Sequence, residues 1–254
     1  MLNGVDHLVI VVPELDPAIA SYRGLGFTVV PGGRHPIGTH NALIAFADGS
    51  YLELIAFFEP NAQHRWYQRL QQGGGLIDFC LQTDDLAGDA SAFRAAGVAL
   101  ADPRPLSRVR PDGYELRWVL SIPDVHGGVA PFLIEDESPR GERVPQATRH
   151  DNGVTGIQSV TVAVSDVATV QKWYDRVPGT NVAPVEHADL GASGARVTMG
   201  PHALDFVTPR GADSPLAGWL AARGPSPYAA ALATSAPKGP LPLDKTLGAR
   251  LTLA

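Results

Sequence analysis

Five consecutive apolar, mostly β-branched residues, Leu8 to Val12, follow a polar start in GVDHLVIVVPELDPAIASYRGLGF. Such a run marks a strand covered on both faces. Asp16-Pro17 punctuates, and Ala18 to Leu25 carries apolar residues at helical spacing until Gly26 stops it. The same strand-then-helix pattern returns. A shift of 71 residues lays Gly4 on Gly75, Leu8 on Phe79, Ile10 on Leu81 and Gly26 on Gly97, without a gap over 24 residues. A shift of 152 lays Gly4 on Gly156 and Tyr22 on Tyr174, giving a third copy, GIQSVTVAVSDVATVQKWYDRVPG. A fourth copy is eroded: RLQQGGGLIDFCLQT resembles LAARGPSPYAAALAT at an offset of 151. Near-equal offsets point to a pair of modules duplicated as a pair.

Each full module reads strand, helix, then three strands. In the first these are expected at about 4–12, 15–24, 27–31, 41–46 and 50–57, with Asp48-Gly49 as a hairpin-type turn. In the second they fall at about 75–83, 86–96, 98–101, 114–121 and 129–135. In the third they fall at about 157–164, 167–176, 180–184, 194–199 and 203–207. The fourth keeps one closing strand at about 249–253, and connectors near 60–72 and 214–222 read as helical. The fold class is α+β: tandem β-α-β-β-β modules, three full and one reduced, pairing into cupped mixed sheets. Residues 1–140 would hold two paired modules, about 1–58 and 73–137. Residues 151–254 would hold a second half, about 153–209 plus a reduced module of about 224–254.

Composition narrows the classes. Apolar residues are 44% and charged residues 18% of 254, enough to bury a core. Net charge is −6 with no Lys/Arg run, so nucleic acid and membrane are not expected as partners, and a small-molecule ligand is. A single cysteine, Cys80, excludes a disulfide framework and suits a reducing cytoplasm. No leader pattern or membrane-length apolar run stands out. A monomer or homodimer is expected.

DHLVIVVPELDPAIASY, DGSYLELIAF, PGGRHPIGTHNALIAF and RPDGYELRW resemble the vicinal oxygen chelate superfamily. The similarity is greatest to its glyoxalase-like proteins, near glyoxalase I, extradiol dioxygenases and bleomycin-resistance proteins. It covers residues 1–137 and, as a weaker copy, 153–209. It implies paired modules curled around a ligand site, where the first strand of a module offers one metal ligand and its last strand a carboxylate. His7 and Glu53 occupy those positions in module one. Alternation in Leu52-Glu53-Leu54 turns Glu53 away from its leucine neighbours and into the cup. In module two Asp78 takes the place of His7 and Phe132 the place of Glu53, and a phenyl ring cannot ligate. Ser159 and Asp205 hold the positions in module three. The first pair of modules therefore supplies at most three of the family's four ligands: His7, Glu53 and Asp78. That set suits Fe, Mn, Zn or Ni with open positions for a bidentate substrate.

Around these positions other chemistry gathers. GGRHPIGTHNAL brings His35, His40 and Asn41 toward the cup mouth, the histidines as general bases or spare ligands and Asn41 as a substrate contact. SRVRPDGYELRW holds Arg108 and Arg110, of which Arg110 is the expected clamp for an anionic substrate, with Trp118 and Phe132 lining the cup or core. The catalytic set is thus His40, His35 and Glu53. The Gly73–Gly75 run lacks the strand-before, helix-after setting of a phosphate loop, and no nucleotide cofactor is indicated. His126 reads as a turn residue. Two functions remain open. One is a divalent-metal-dependent lyase, isomerase or dioxygenase acting on a small oxygenated or anionic substrate. The other is a metal-free binder of the drug-sequestering kind, in which His7, Asp78 and Ser159 only donate and accept hydrogen bonds.

Overall fold

A computed structural model describes residues 1–125 and 127–254; His126 lies outside the described residues. The first apolar run becomes β1 (Leu2–Val11), followed by α1 (Leu15–Gly24), β2 (Val30–Arg34), β3 (Thr39–Ala45) and β4 (Tyr51–Phe57). A short connector helix α2 (Tyr67–Gln71) leads to β5 (Gly75–Thr83), α3 (Leu86–Ala95), β6 (Arg104–Val109), β7 (Glu115–Ser121) and β8 (Phe132–Asp136). These eight strands close into a barrel of order β1-β4-β3-β2-β6-β7-β8-β5. After the one-turn α4 (Arg140–Arg143) come β9 (Val154–Ala163), α5 (Val167–Tyr174), β10 (Asn181–His187), β11 (Ala192–Met199), β12 (His202–Pro209), α6 (Pro215–Arg223), β13 (Ser226–Thr234), β14 (Gly239–Pro240) and β15 (Leu251–Leu253). They form an open seven-stranded sheet, β10-β11-β12-β9-β13-β15-β14. The mixed sheets of an α+β fold are present as expected, and the barrel is more fully closed than a cup.

The repeat is visible in the hydrogen-bond register. In each full module the first and last strands pair in parallel, and Val9 faces Glu53, Cys80 faces Phe132, and Thr161 faces Asp205. The shift of 152 therefore maps both strands residue onto residue in space, while in module two the first strand is shifted by 71 and the last by 79. Leu8, Ile10, Phe79 and Leu81 point outward from the barrel into a core shared with Tyr174 and Phe206 of the second half. Val9, Val11, Cys80 and Phe132 point inward. Period 2 along each strand explains the split.

The two second strands start later than their sequence pattern suggests. Residues 27–31 and 98–101 are apolar because Phe27, Val29, Val98 and Leu100 are buried loop residues, not because they pair. Leu100 makes only an isolated bridge to Pro123, and the ladder of module two begins at Arg104. These late strands then meet each other and close the barrel, with Arg34 opposite Val109. Gly33 permits this approach: it adopts φ +152°, and a methyl there would lie 2.2 Å from the Val109 carbonyl oxygen.

Candidate active site

The inner wall of the barrel surrounds a cavity of about 70 Å³. Its polar side holds His7, Asn41, Glu53, Arg108 and Arg143, and its apolar side includes Trp66, Trp118, Leu120 and Phe132. Strict alternation would send Asp6 to the opposite face from His7. A bulge in β1, where Val5 pairs with Leu81 but His7 with Cys80, places both side chains on the same side. Asp6 Oδ1 then lies 2.6 Å from His7 Nδ1. A carboxylate can only accept there, so Nδ1 donates and Nε2 is the atom turned toward the cavity. The ring is fixed further by stacking on Tyr51 at 4.6 Å and by the edge of Phe132 at 5.4 Å.

Across the cavity His7 Nε2 meets Glu53 Oε2 at 3.5 Å. The other oxygen, Oε1, accepts from Asn41 Nδ2 at 2.6 Å, and that bond sets the carboxylate's orientation. Glu53 is 6% exposed. A lone pair on Nε2 and a carboxylate oxygen repel at this separation, so the gap between them needs a proton or a cation.

Asp6 is fully buried, and its charge is matched from outside the barrel strands. Arg143 on α4 donates through Nη1 to Oδ1 at 2.9 Å and through Nη2 to Oδ2 at 2.8 Å, and Arg140 also donates to Oδ2. Asp136 and the Tyr51 hydroxyl complete the network around Arg143. Burial raises the Asp6 carboxyl, but Arg143, His7 and Arg140 together hold it well below the usual range.

The residues expected from the sequence are not all brought together. His7, Glu53, Asn41, His35, Trp118 and Phe132 line the cavity. His35 donates or accepts at Thr39 Oγ1, 2.9 Å away, and burial lowers its pKa to about 4, so it is neutral near pH 7. His40 lies off the cavity with its ring against the edge of Phe58. Asp78 faces a different set of partners: Arg65 Nη2 at 2.6 Å, Trp66 Nε1 at 2.8 Å and the Phe79 amide at 3.0 Å. Arg65 and Trp66 belong to the connector before α2, and both pack on Phe132. Arg110 points away to Asp112 and Glu142, because β6 ends at Val109 and a turn follows from Arg110 to Tyr114. Its neighbour by period 2, Arg108, is the guanidinium inside.

Asp6, Arg108, Arg143, Tyr51 and Trp66 are the site residues that sequence pattern did not single out. Only Arg108 carried a usable signal, its place two residues before Arg110 on the inward face. A cluster of potential ligand atoms does occur at Asp6, His7 and Cys80, all within 4.8 Å. It suits a cation poorly, because both oxygens of Asp6 already hold guanidinium groups and burial pushes the Cys80 thiol well above its usual pKa. The better fit is the His7 Nε2–Glu53 Oε2 gap, with Asp6 behind the imidazole as an orienting carboxylate. Those are two donors, fewer than the three protein ligands of catalytic zinc sites.

A family model described as a glyoxalase-like domain matches residues 5–177. No curated protein matches the chain. Among solved structures, a hypothetical protein from Staphylococcus aureus shares 17% identity with a TM-score of 0.70, covering 98% of each chain. A mutant 4-hydroxymandelate synthase from Streptomyces coelicolor shares 11% identity with a TM-score of 0.62, over 92% of this chain and 72% of that one. A xylose isomerase-like TIM barrel/4-hydroxyphenylpyruvate dioxygenase fusion protein shares 14% identity with a TM-score of 0.54, over 96% of this chain and 40% of that one. At these identities the structures testify to the fold.

Proposed function

The chain belongs to the glyoxalase-like family of the vicinal oxygen chelate superfamily, and from that premise we propose that it is a small-molecule enzyme that moves a proton beside an oxygen-bearing carbon, an isomerase- or lyase-type step. The observation that carries the reading is the line Asp6–His7–Glu53, two acceptors 3.5 Å apart with an anion behind one of them. The catalytic half is residues 1–140, and 151–254 supports it.

His7 and Glu53 would hold a divalent cation, which when bound polarises a pair of vicinal substrate oxygens. Asp6 keeps the His7 ring oriented with Nε2 toward the reacting centre. Asn41 holds Glu53 Oε1, so Oε2 is the oxygen left to hold the cation or, where the cation does not occupy it, to take up and return the proton. Trp118, Leu120 and Phe132 exclude water from that atom and strengthen the field of the charged groups. The cavity's about 70 Å³ selects a substrate of a few heavy atoms.

The test is loss of C–H signal in D2O, followed by proton NMR, for a panel of vicinal diketones, 2-oxo acids and 2-hydroxy acids. Wild type is expected to exchange at least one of them, and Glu53→Gln to lower that rate roughly 100- to 10,000-fold. A panel member that binds wild type without exchange or turnover would contradict the enzyme reading. Phe132 in place of a ligand, with Trp66 and Trp118 beside it, favours the second reading, a binder of small apolar or aromatic compounds.

A further inference from the structure

The guanidinium groups around the barrel interior and its paired carboxylates are not equally matched. Arg143 has both Asp6 and Asp136, Arg140 has Asp6, and Arg65 has Asp78. Arg108 has no carboxylate partner among the described residues. It is 3% exposed and lines the cavity. Its two acceptors are neutral and distant: Asn41 Oδ1 and the Arg143 carbonyl, each at 3.3 Å. A buried guanidinium has five donors, and leaving its charge uncompensated in a low-dielectric site is costly. Burial lowers its pKa, against the opposing pull of Tyr51 and Glu53, and Arg143 and Arg110 lower it further.

Asn41 explains why Glu53 does not pair directly with this charge. Its amide nitrogen donates to Glu53 and its oxygen accepts from Arg108, so it stands between the two. Glu53 keeps its second oxygen for His7, and whatever bridges that gap is positive. The cavity is then left with one cation in surplus. Gly32 shows that the backbone makes room for the arrangement. A methyl on Gly32 would lie 2.0 Å from Asn41 Oδ1 and 2.4 Å from Arg108 Nη1.

We infer that Arg108 is the anchor for a carboxylate on the substrate, so that the compound handled here is a small carboxylic acid. Its carboxylate forms paired hydrogen bonds with the guanidinium, its adjacent oxygen-bearing carbon lies toward His7 and Glu53, and any short apolar tail lies against Trp118 and Leu120. The placement of that carbon rests on the proposed function; the anion anchor does not. A planar two-oxygen anion matches the guanidinium fork, and a cavity of about 70 Å³ has room for little beyond a short acid.

The test is calorimetric titration of the full chain with pyruvate, lactate and propionate, beside propionamide and inorganic phosphate as probes. Wild type should bind at least one carboxylate at least 10-fold more tightly than the amide. Arg108→Gln should weaken carboxylate binding roughly 10- to 100-fold and leave the amide unchanged. Arg108→Lys should fall between, since it keeps the charge and loses the fork. Gly32→Ala, which removes no charge but presses on Asn41 and Arg108, should weaken the carboxylate as well. Thermal melts check that each variant is folded; if Arg108→Gln is not, the Lys and Gly32 variants carry the comparison. Glu53→Gln should retain carboxylate binding while losing proton exchange. Equal binding of carboxylate and amide, phosphate binding with no carboxylate binding, or no carboxylate binding at 50-fold excess over protein each overturn the anchor. Carboxylate binding that survives in the Arg108 variants but disappears in Glu53→Gln also overturns it, and leaves the His7–Glu53 reading standing.

Discussion

The barrel and the open sheet start from the same pattern and spend their charges differently. At the position of Glu53 the second half carries Asp205, which is fully buried. Asp205 accepts from Arg196 Nε and Nη2, both at 2.7 Å, and from His187 Nε2 at 2.8 Å. Those partners hold its pKa down against burial and leave no oxygen free for another ligand. Glu53 is tied at one oxygen by a neutral amide and keeps the other open toward His7. A carboxylate saturated by its own chain is structural, and one held at a single oxygen is available for chemistry. Closure differs too. In the barrel β2 meets β6, whereas the reduced fourth module has only β13, β14 and β15, so the second sheet stays open.

The largest expected contrast is in chemistry. Glu53→Gln should cost roughly 100- to 10,000-fold in any measured turnover, and Asp205→Asn should leave turnover unchanged. Equal losses would mean that the two halves are not divided as described.

Next comes stability. Arg143→Met leaves Asp6, at 0% exposure, with only Arg140 and His7 in place of the two Arg143 bonds, and breaking a buried pair in this way costs about 3–5 kcal/mol. Arg196→Met should cost less, because Arg196 is half exposed and His187 still pairs with Asp205. Urea unfolding of the two variants measures the difference. A smaller loss for Arg143→Met would contradict the role given to α4.

A smaller effect is expected at the seam. Gly33→Ala meets the Val109 carbonyl and a positive φ together, a loss of about 1–3 kcal/mol. Gly191→Ala in the second half has φ +54° with its nearest neighbour at 3.9 Å, so about 1 kcal/mol is expected.

The last contrast is a pH effect in the barrel. His35 titrates at about 4 when folded and near 6.5 when unfolded, because burial penalises its charged form. The unfolded chain therefore binds the extra proton between those values, so stability falls as pH drops from about 6.5 to about 4. His35→Asn should flatten that slope in thermal melts taken across the window. His64, lowered to about 4 mainly by burial, adds a second contribution that remains in the variant.

Much of this was legible in the sequence. The repeat, the module order and the inward positions of His7 and Glu53 follow from shifts of the chain against itself, since parallel pairing keeps equivalent residues opposite one another. Asp6 was not legible, because a one-residue bulge reversed its face and alternation predicts the other side. Arg143 was not, because it reaches Asp6 from 137 residues away on a segment outside the modules. Arg110 drew attention over Arg108 because period 2 gives both the same face, and pattern alone does not show that β6 ends at Val109 and takes Arg110 into the turn. Asp78 is at its expected position, but no pattern in the strand itself shows that a connector would supply Arg65 to neutralise it.

The most direct test of the central claim is how many divalent cations the protein binds between His7 and Glu53. Metal-stripped wild type, His7→Ala and Glu53→Gln would each be titrated with Mn, Fe, Zn and Ni under anaerobic conditions, and bound metal counted by elemental mass spectrometry. The account predicts close to one exchangeable cation per chain in wild type and none in either variant. Wild type that takes up no metal, or variants that bind as wild type does, would contradict it.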